Sequence, residues 1–239
     1  MKTYIRKFLN EIKEKDIKTV LRKVVYVLSK LIRKKFLLIL LKFTFQKSRL
    51  KYDISNTWFL NSELKKYISK YLRKTDTLKI LEIGSYEGAS TVFFSDKYLN
   101  NIASRLVCVD PHYESSENIK SFTEGEGSKY VKEFTKDKFL RNIKKSKNYN
   151  KIEYLQIESN QFFEKNKEKF NFIYIDGYHN NEQVKKDLIN SMISLQTKGV
   201  IWMDDYLWSK ETIDSIIYNN LNNFEVIHKG YQIAIRKRD

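Results

Sequence analysis

Apolar and polar residues follow two different textures along this chain. Between residues 17 and 45 the apolar positions Ile17, Val20, Leu21, Val24, Val25, Leu28, Leu31 and Ile32 recur every three or four residues, with Lys18, Arg22, Lys23, Lys30, Arg33 and Lys34 filling much of the space between them. That period is helical, with an apolar stripe and a basic face. No glycine or proline occurs from Met1 to Ile83, so nothing local breaks a helix there. From Thr77 the texture changes to short apolar runs rich in β-branched residues: Leu78–Ile83, Arg105–Asp110, Ile152–Ile157, Phe170–Asp176 and Gly199–Asp204. Helical patterns over 89–99, 180–197 and 209–222 separate several of them. The alternation predicts an α/β fold with a mostly parallel sheet and helices on both faces. Phe224–His228 and Tyr231–Arg236, joined by Lys229-Gly230, add a terminal antiparallel hairpin and bring the strand count to seven.

Two domains follow: a basic helical extension over residues 1–60 and an α/β domain over 61–239. The stretch His112–Asn150 is long for a connection between a strand and a helix. Gly125 and Gly127 sit in a polar segment there, followed by a helical pattern through Phe134, Phe139 and Ile143. An insertion of that size at the ligand end of a sheet serves as a lid or recognition element, or as a plain surface elaboration.

Charge sharpens this division. The chain carries 45 Lys and Arg against 29 Asp and Glu, a net charge of +16. Residues 1–60 hold 16 of the basic residues and only four acids (Glu11, Glu14, Asp16, Asp53), a net of +12. The remainder is nearly balanced, so the positive field belongs to the extension and suits an anionic surface. A basic amphipathic helix lies on an anionic membrane or packs on protein, either its own domain or a second copy of the chain. The longest apolar run, Phe36–Leu41, is far short of the ~20 residues a membrane span needs. No secretory signal is evident, and Cys108 is the sole cysteine, a buried-strand position with no partner for a disulfide. A cytoplasmic protein, held at most to the cytoplasmic face of a membrane, is expected.

Candidate chemistry gathers at the predicted strand ends. Gly84 and Gly88 bracket the turn after the first strand, where glycine lets backbone approach a ligand. Asp110 ends the second strand, and an acid there can accept both hydroxyls of a ribose. The glycine spacing departs from the Gly-x-Gly-x-x-Gly dinucleotide pattern. Asp176 ends the fourth strand and Asp204-Asp205 the fifth. Adjacent strand ends lie ~5 Å apart, so these carboxylates would converge and repel. A hard divalent cation (Mg²⁺, Mn²⁺ or Ca²⁺) relieves that repulsion, and the absence of sulfur or paired-histidine ligands argues against zinc.

The run Glu82-Ile83-Gly84-Ser85-Tyr86-Glu87-Gly88-Ala89-Ser90 resembles the first motif of class I S-adenosylmethionine-dependent methyltransferases. It is similar to the metal-dependent catechol O-methyltransferase branch and to bacterial sugar O-methyltransferases, over roughly residues 77–236. The resemblance implies a Rossmann-like fold with S-adenosyl-L-methionine over the turn, contacted by Glu82, Gly84, Ser85, Tyr86, Gly88 and Ser90. It also implies Asp110 on the ribose, and Ser159 and Asn160 near the adenine, although a helix cap is the other reading of that pair. Asp176, Asp204 and Asp205 correspond to the family's metal ligands. The catechol branch has asparagine where this chain has Asp205, and a lysine base where it has His179.

A divalent-cation-assisted O-methyltransferase is therefore expected, with Asp176 and His179 as catalytic residues and a sugar or glycan hydroxyl as acceptor. Tyr178, Tyr206 and Trp208 flank the site and either stack on that acceptor or pack. The competing expectation is a non-enzymatic membrane- or nucleic-acid-binding module working through residues 1–60, or a nucleic-acid methyltransferase. The segregation of charge away from the strand ends argues against nucleic acid as a partner. Whether the chain is a homo-oligomer is left open.

Overall fold

Seven strands form one sheet in the order β3-β2-β1-β4-β5-β7-β6, in a computed structural model that describes residues 51–55, 58–112 and 135–239. The strands are β1 (Lys79–Ile83), β2 (Arg105–Val109), β3 (Ile152–Leu155), β4 (Phe170–Ile175), β5 (Leu195–Met203), β6 (Phe224–Lys229) and β7 (Ile233–Lys237). β1 pairs in parallel with β2 and β4, and the parallel order continues to β3 and β5. β7 runs antiparallel between β5 and β6. The expected Rossmann-like α/β fold is thus present. The basic helix expected over 17–45 and the glycine-containing part of the His112–Asn150 insertion lie outside the described residues.

The central strands are apolar on both sides because both sides are covered. One face presents Leu81, Ile83, Ile173, Ile175, Ile201 and Met203 to α4 (Ser159–Lys165), α5 (Asn181–Ser194) and α6 (Lys210–Tyr218). The other presents Ile80, Leu106, Phe172, Tyr174, Val200 and Trp202 to α1 (Glu63–Tyr67), α2 (Ala89–Tyr98) and α3 (Thr135–Lys145). Phe59 belongs to this second core, and Tyr52 and Ile54 are buried with Val92, so packing against the sheet domain begins before residue 61.

Local chemistry sets the element ends that differ from expectation. α5 stops at Ser194 rather than 197, because Leu195 already pairs with Phe170 and opens β5. The chain then passes through Lys198 at φ +61° into Gly199. A side chain on Gly199 would put its Cβ 2.9 Å from the Gln196 carbonyl oxygen. The β6–β7 connection spans Gly230–Gln232 rather than Lys229-Gly230. Gln232 turns fully inward, its Oε1 accepting from the Leu64 amide (2.6 Å) and the Trp202 indole (2.8 Å). Glu63 on α1 accepts from the Gln232 amide at 2.9 Å and pairs with His228 Nε2 at 2.9 Å. Those contacts weld α1 onto the hairpin.

Candidate active site

β1, β4 and β5 end side by side, and their continuations carry the candidate residues. The Asp176 amide donates to Ile83 O at 2.8 Å, and the Asp204 amide to Ile175 O at 2.9 Å, so the parallel register delivers both acids to the same edge. Gly84 follows β1 at φ +83°, with the Asp176 carbonyl pressed against its α-carbon. Gly88, at φ +86°, starts α2 in the left-handed region that only glycine enters without cost. The glycine-bracketed turn and the acidic residues therefore share one wall.

Within the turn, Glu82 is completely buried, and its Oε2 accepts from the hydroxyls of Ser85 (2.8 Å) and Thr91 (2.5 Å). Burial pushes its carboxyl upward against those hydrogen bonds and one from Ser90. Its other oxygen, Oε1, has no hydrogen-bond partner. Glu82, Ser85 and Ser90 thus brace the turn from beneath, and all three are buried. Asp110 takes the amides of Ser85 (2.7 Å) and Tyr86 (2.8 Å) on Oδ2 and that of His112 (2.8 Å) on Oδ1. Three of its roughly four acceptor positions are occupied by backbone, so a ribose would share a carboxylate that already anchors the loop. Ser159 and Asn160 open α4, and both hydrogen-bond the Gln183 side chain of α5, which also donates to the buried Asp187 at 2.9 Å.

At the acidic end, the buried Tyr174 hydroxyl lies 2.9 Å from Asp176 Oδ2 and 2.9 Å from Asp204 Oδ2. A phenol has one hydrogen to donate, so both contacts are hydrogen bonds only when one carboxyl is protonated. The electrostatics agree. Burial, then the charges of Asp204 and Asp205, push Asp176 well above the ordinary aspartate range. Burial, with Asp205 adding to it, raises Asp204 too. Asp205 sits at φ +46° and turns outward. Its Oδ2 lies 3.1 Å from His179 Nε2, and its Oδ1 takes the Tyr231 hydroxyl.

Asp176, His179 and Asp205 each offer a ligand atom within 4.8 Å of the others. The expected trio was Asp176, Asp204 and Asp205. Asp204 is instead directed inward, one oxygen on Tyr174 and the other accepting the Asp205 amide at 2.8 Å. Trp208 is exposed, with its ring centroid 5.9 Å from that of His179, and Tyr178 is partly exposed nearby on the recess that His179, Asp204 and Asp205 line. Tyr206 is not on that rim: it is buried, and its hydroxyl donates to Asp214.

Tyr174, Gln183, His112 and Tyr231 were not anticipated. Tyr174 stands two residues before Asp176, so strand alternation alone puts both on one face. His112 and Tyr231 carried no such signal, because both act from turns.

A family model described as a methyltransferase domain matches residues 81–206, just over half of the chain and the whole of the wall described above. The chain belongs to that family. No curated protein matches this methyltransferase. In structure it is similar to a protein assigned as an rRNA methylase from Clostridium thermocellum, with a TM-score of 0.55, 12% identity, and coverage of 78% of this chain and 98% of that one. It is also similar to a protein assigned as an O-methyltransferase from Klebsiella pneumoniae (TM-score 0.52, 13% identity, 74% and 80% coverage). An O-methyltransferase from Bacillus cereus in complex with SAH gives a TM-score of 0.50 at 17% identity, covering 83% and 90%. At these identities the likeness establishes the fold, and the chemistry of the acceptor has to be argued from the site.

Proposed function

We propose that this methyltransferase is S-adenosylmethionine-dependent, belongs to the divalent-cation-assisted O-methyltransferase branch, and acts on a hydroxyl of a sugar or glycan-type acceptor. The observation that carries the reading is the contact between Gly84 and Asp176. It sets a glycine-bracketed turn of nucleotide-binding type against a cluster of mutually repelling acids, so that a methyl donor and a cation-held hydroxyl would meet at one wall.

The residues fit both groups. The methionine end of the cofactor is cationic, and the buried Glu82 carboxylate beneath the turn retains an unpartnered oxygen while Asp176 stands beside it. Bound there, the cofactor supplies an electrophilic methyl group. The acids raise one another's proton affinity, which is what a hard cation relieves. Asp176 and Asp205 would hold it as oxygen donors, since Mg²⁺ and Ca²⁺ take carboxylate in preference to imidazole, and Asp204 would join them only by releasing Tyr174. Bound there, the cation supplies Lewis-acid activation of the acceptor hydroxyl.

His179 is then the base. Asp205 Oδ2 engages its Nε2 and holds the ring, leaving Nδ1 as the nitrogen that takes the acceptor proton. The rim of Trp208 and Tyr178 offers flat apolar surface to a sugar ring. The basic extension would hold the enzyme at an anionic membrane surface, where a lipid-linked glycan would be presented. Among the described residues no helix is long and apolar enough to cross a membrane.

The test is calorimetry of S-adenosylmethionine with wild-type protein, followed by methyl transfer to a panel of glycosides with Mg²⁺ and with EDTA. Binding with cation-dependent transfer supports the reading. Transfer undiminished in EDTA removes the cation, and absence of binding removes the cofactor.

A further inference from the structure

Residues 110–112, which leave β2, grip the peptide of Tyr86 from both sides. Asp110 Oδ2 takes the amides of Ser85 and Tyr86 at 2.7 and 2.8 Å. The carbonyl of Tyr86 lies 2.7 Å from His112 Nε2. A carbonyl can only accept, so Nε2 carries the hydrogen. Nδ1 lies 2.8 Å from the Tyr154 hydroxyl and 3.4 Å from Asp110 Oδ1. The His112 amide closes the circuit on Asp110 Oδ1.

Three further features set this histidine apart from one that merely fills space. Its side chain is only 1% exposed, yet both ring nitrogens are engaged by named partners on different elements. Its ring packs in a box with Phe139 of α3 (5.1 Å between centroids) and Tyr154 of β3 (5.4 Å). Finally, Tyr86 and His112 both occupy left-handed backbone, at φ +47° and +41°, and a hydrogen bond joins them. Strained non-glycine conformations persist only where the surroundings over-determine them, and they cluster where a ligand must be met in a fixed geometry.

We propose that His112 is a positioning residue for the cofactor, donating from Nε2 to Tyr86 so that the turn and the Asp110 carboxylate are preset for S-adenosylmethionine. This rests on the functional reading above and extends it to a residue outside the motif. His112 touches no reacting atom. It acts through the Tyr86 peptide, and Tyr154 and Phe139 hold it in place.

Three substitutions separate the donor from the packing and from the backbone. Asparagine tolerates left-handed backbone but cannot reach Tyr86; phenylalanine fills the box without a donor; glutamine can place an N–H where Nε2 stands. His112→Asn and His112→Phe should each raise the calorimetric Kd for S-adenosylmethionine about tenfold, the upper range for one lost neutral hydrogen bond, while His112→Gln stays within about threefold of wild type. Unchanged affinity in His112→Asn, or a loss in His112→Gln as large as in His112→Phe, overturns the proposal. Long-range ¹⁵N–¹H NMR of the wild-type ring provides a check that needs no variant to fold. The Nε2–H tautomer supports the assignment, and an Nδ1–H tautomer overturns it. Wild-type protein that ignores S-adenosylmethionine defeats the functional reading instead, and the tautomer measurement still judges the clamp by itself.

Discussion

A methyl group on Gly84 would stand 2.1 Å from the carbonyl oxygen of Asp176, so the α-carbon of one is the floor beneath the other. Backbone meets backbone there, and no side chain can swing aside. Gly84→Ala also requires a left-handed residue at φ +83°. The substitution should cost at least about 2 kcal/mol in urea unfolding and abolish cofactor binding in whatever remains folded. Gly88→Ala makes a useful contrast: its Cβ would meet the Phe139 side chain at 3.1 Å, which can give, so the cost should stay near the 1–2 kcal/mol of a left-handed alanine. Equal midpoints for the two variants would contradict the contact.

The acids and His179 can be assigned separate duties. Asp204→Ala combined with Asp205→Ala should eliminate cation-dependent transfer while leaving S-adenosylmethionine affinity within about threefold, since only weak screening of the cofactor charge is lost. His179→Gln should lower kcat at least about a hundredfold, the usual scale for a lost general base, with little change in the Mg²⁺ concentration for half-maximal activity. A large rise in that concentration would instead make His179 a ligand, the role its closeness to Asp176 and Asp205 also permits.

Asp214 gives the stability a pH signature. Burial works to raise its pKa, but hydrogen bonds from Lys210, Lys229 and Tyr206 outweigh that and bring it from 3.8 down to about 2. A depressed folded-state pKa adds stability that is complete above pH 4 and disappears as pH falls toward 2. The carboxylate is 30% exposed, so screening reduces the contribution to about 1 kcal/mol. Asp214→Asn should therefore lower Tm at pH 7, and the two melting curves should converge near pH 2. A constant gap across that window would refute the ion-pair origin.

The extension is testable by sedimentation. Its net charge of +12 and apolar stripe predict that full-length protein pellets with anionic vesicles at low salt, each basic residue near the surface adding about 1 kcal/mol, and is released at high salt. A form beginning at Lys51, which keeps Tyr52, Ile54 and Phe59 in place, should stay in the supernatant and still bind cofactor. If full-length protein ignores such vesicles, the stripe packs against protein instead.

Much of the fold was legible because strands such as Phe170–Ile175 are apolar on both faces and are punctuated by glycine or acid. The same strand ends mark Gly84, Asp110, Asp176 and Asp205 as candidates. What stayed hidden depended on side chains reaching across the fold. Nothing local tells that Gln232 turns inward to meet Leu64 and Trp202, and that inward turn makes the hairpin connection three residues long. Nor could spacing show that Tyr174 would occupy the inner oxygens of Asp176 and Asp204, or that Tyr206 would face Asp214 rather than the recess. Adjacent acids look equivalent in a sequence; left-handed backbone at Asp205 makes one point in and the other out.

β7 follows β6 in the chain but lies between β6 and β5 in the sheet. While the polypeptide is being made, therefore, β5 is followed by β6, the strand it does not pair with. Until residues 233–237 are in place, Val200–Met203 has an open row of amides and carbonyls on that side. Insertion of β7 is therefore the step that closes this edge of β5 to other strands.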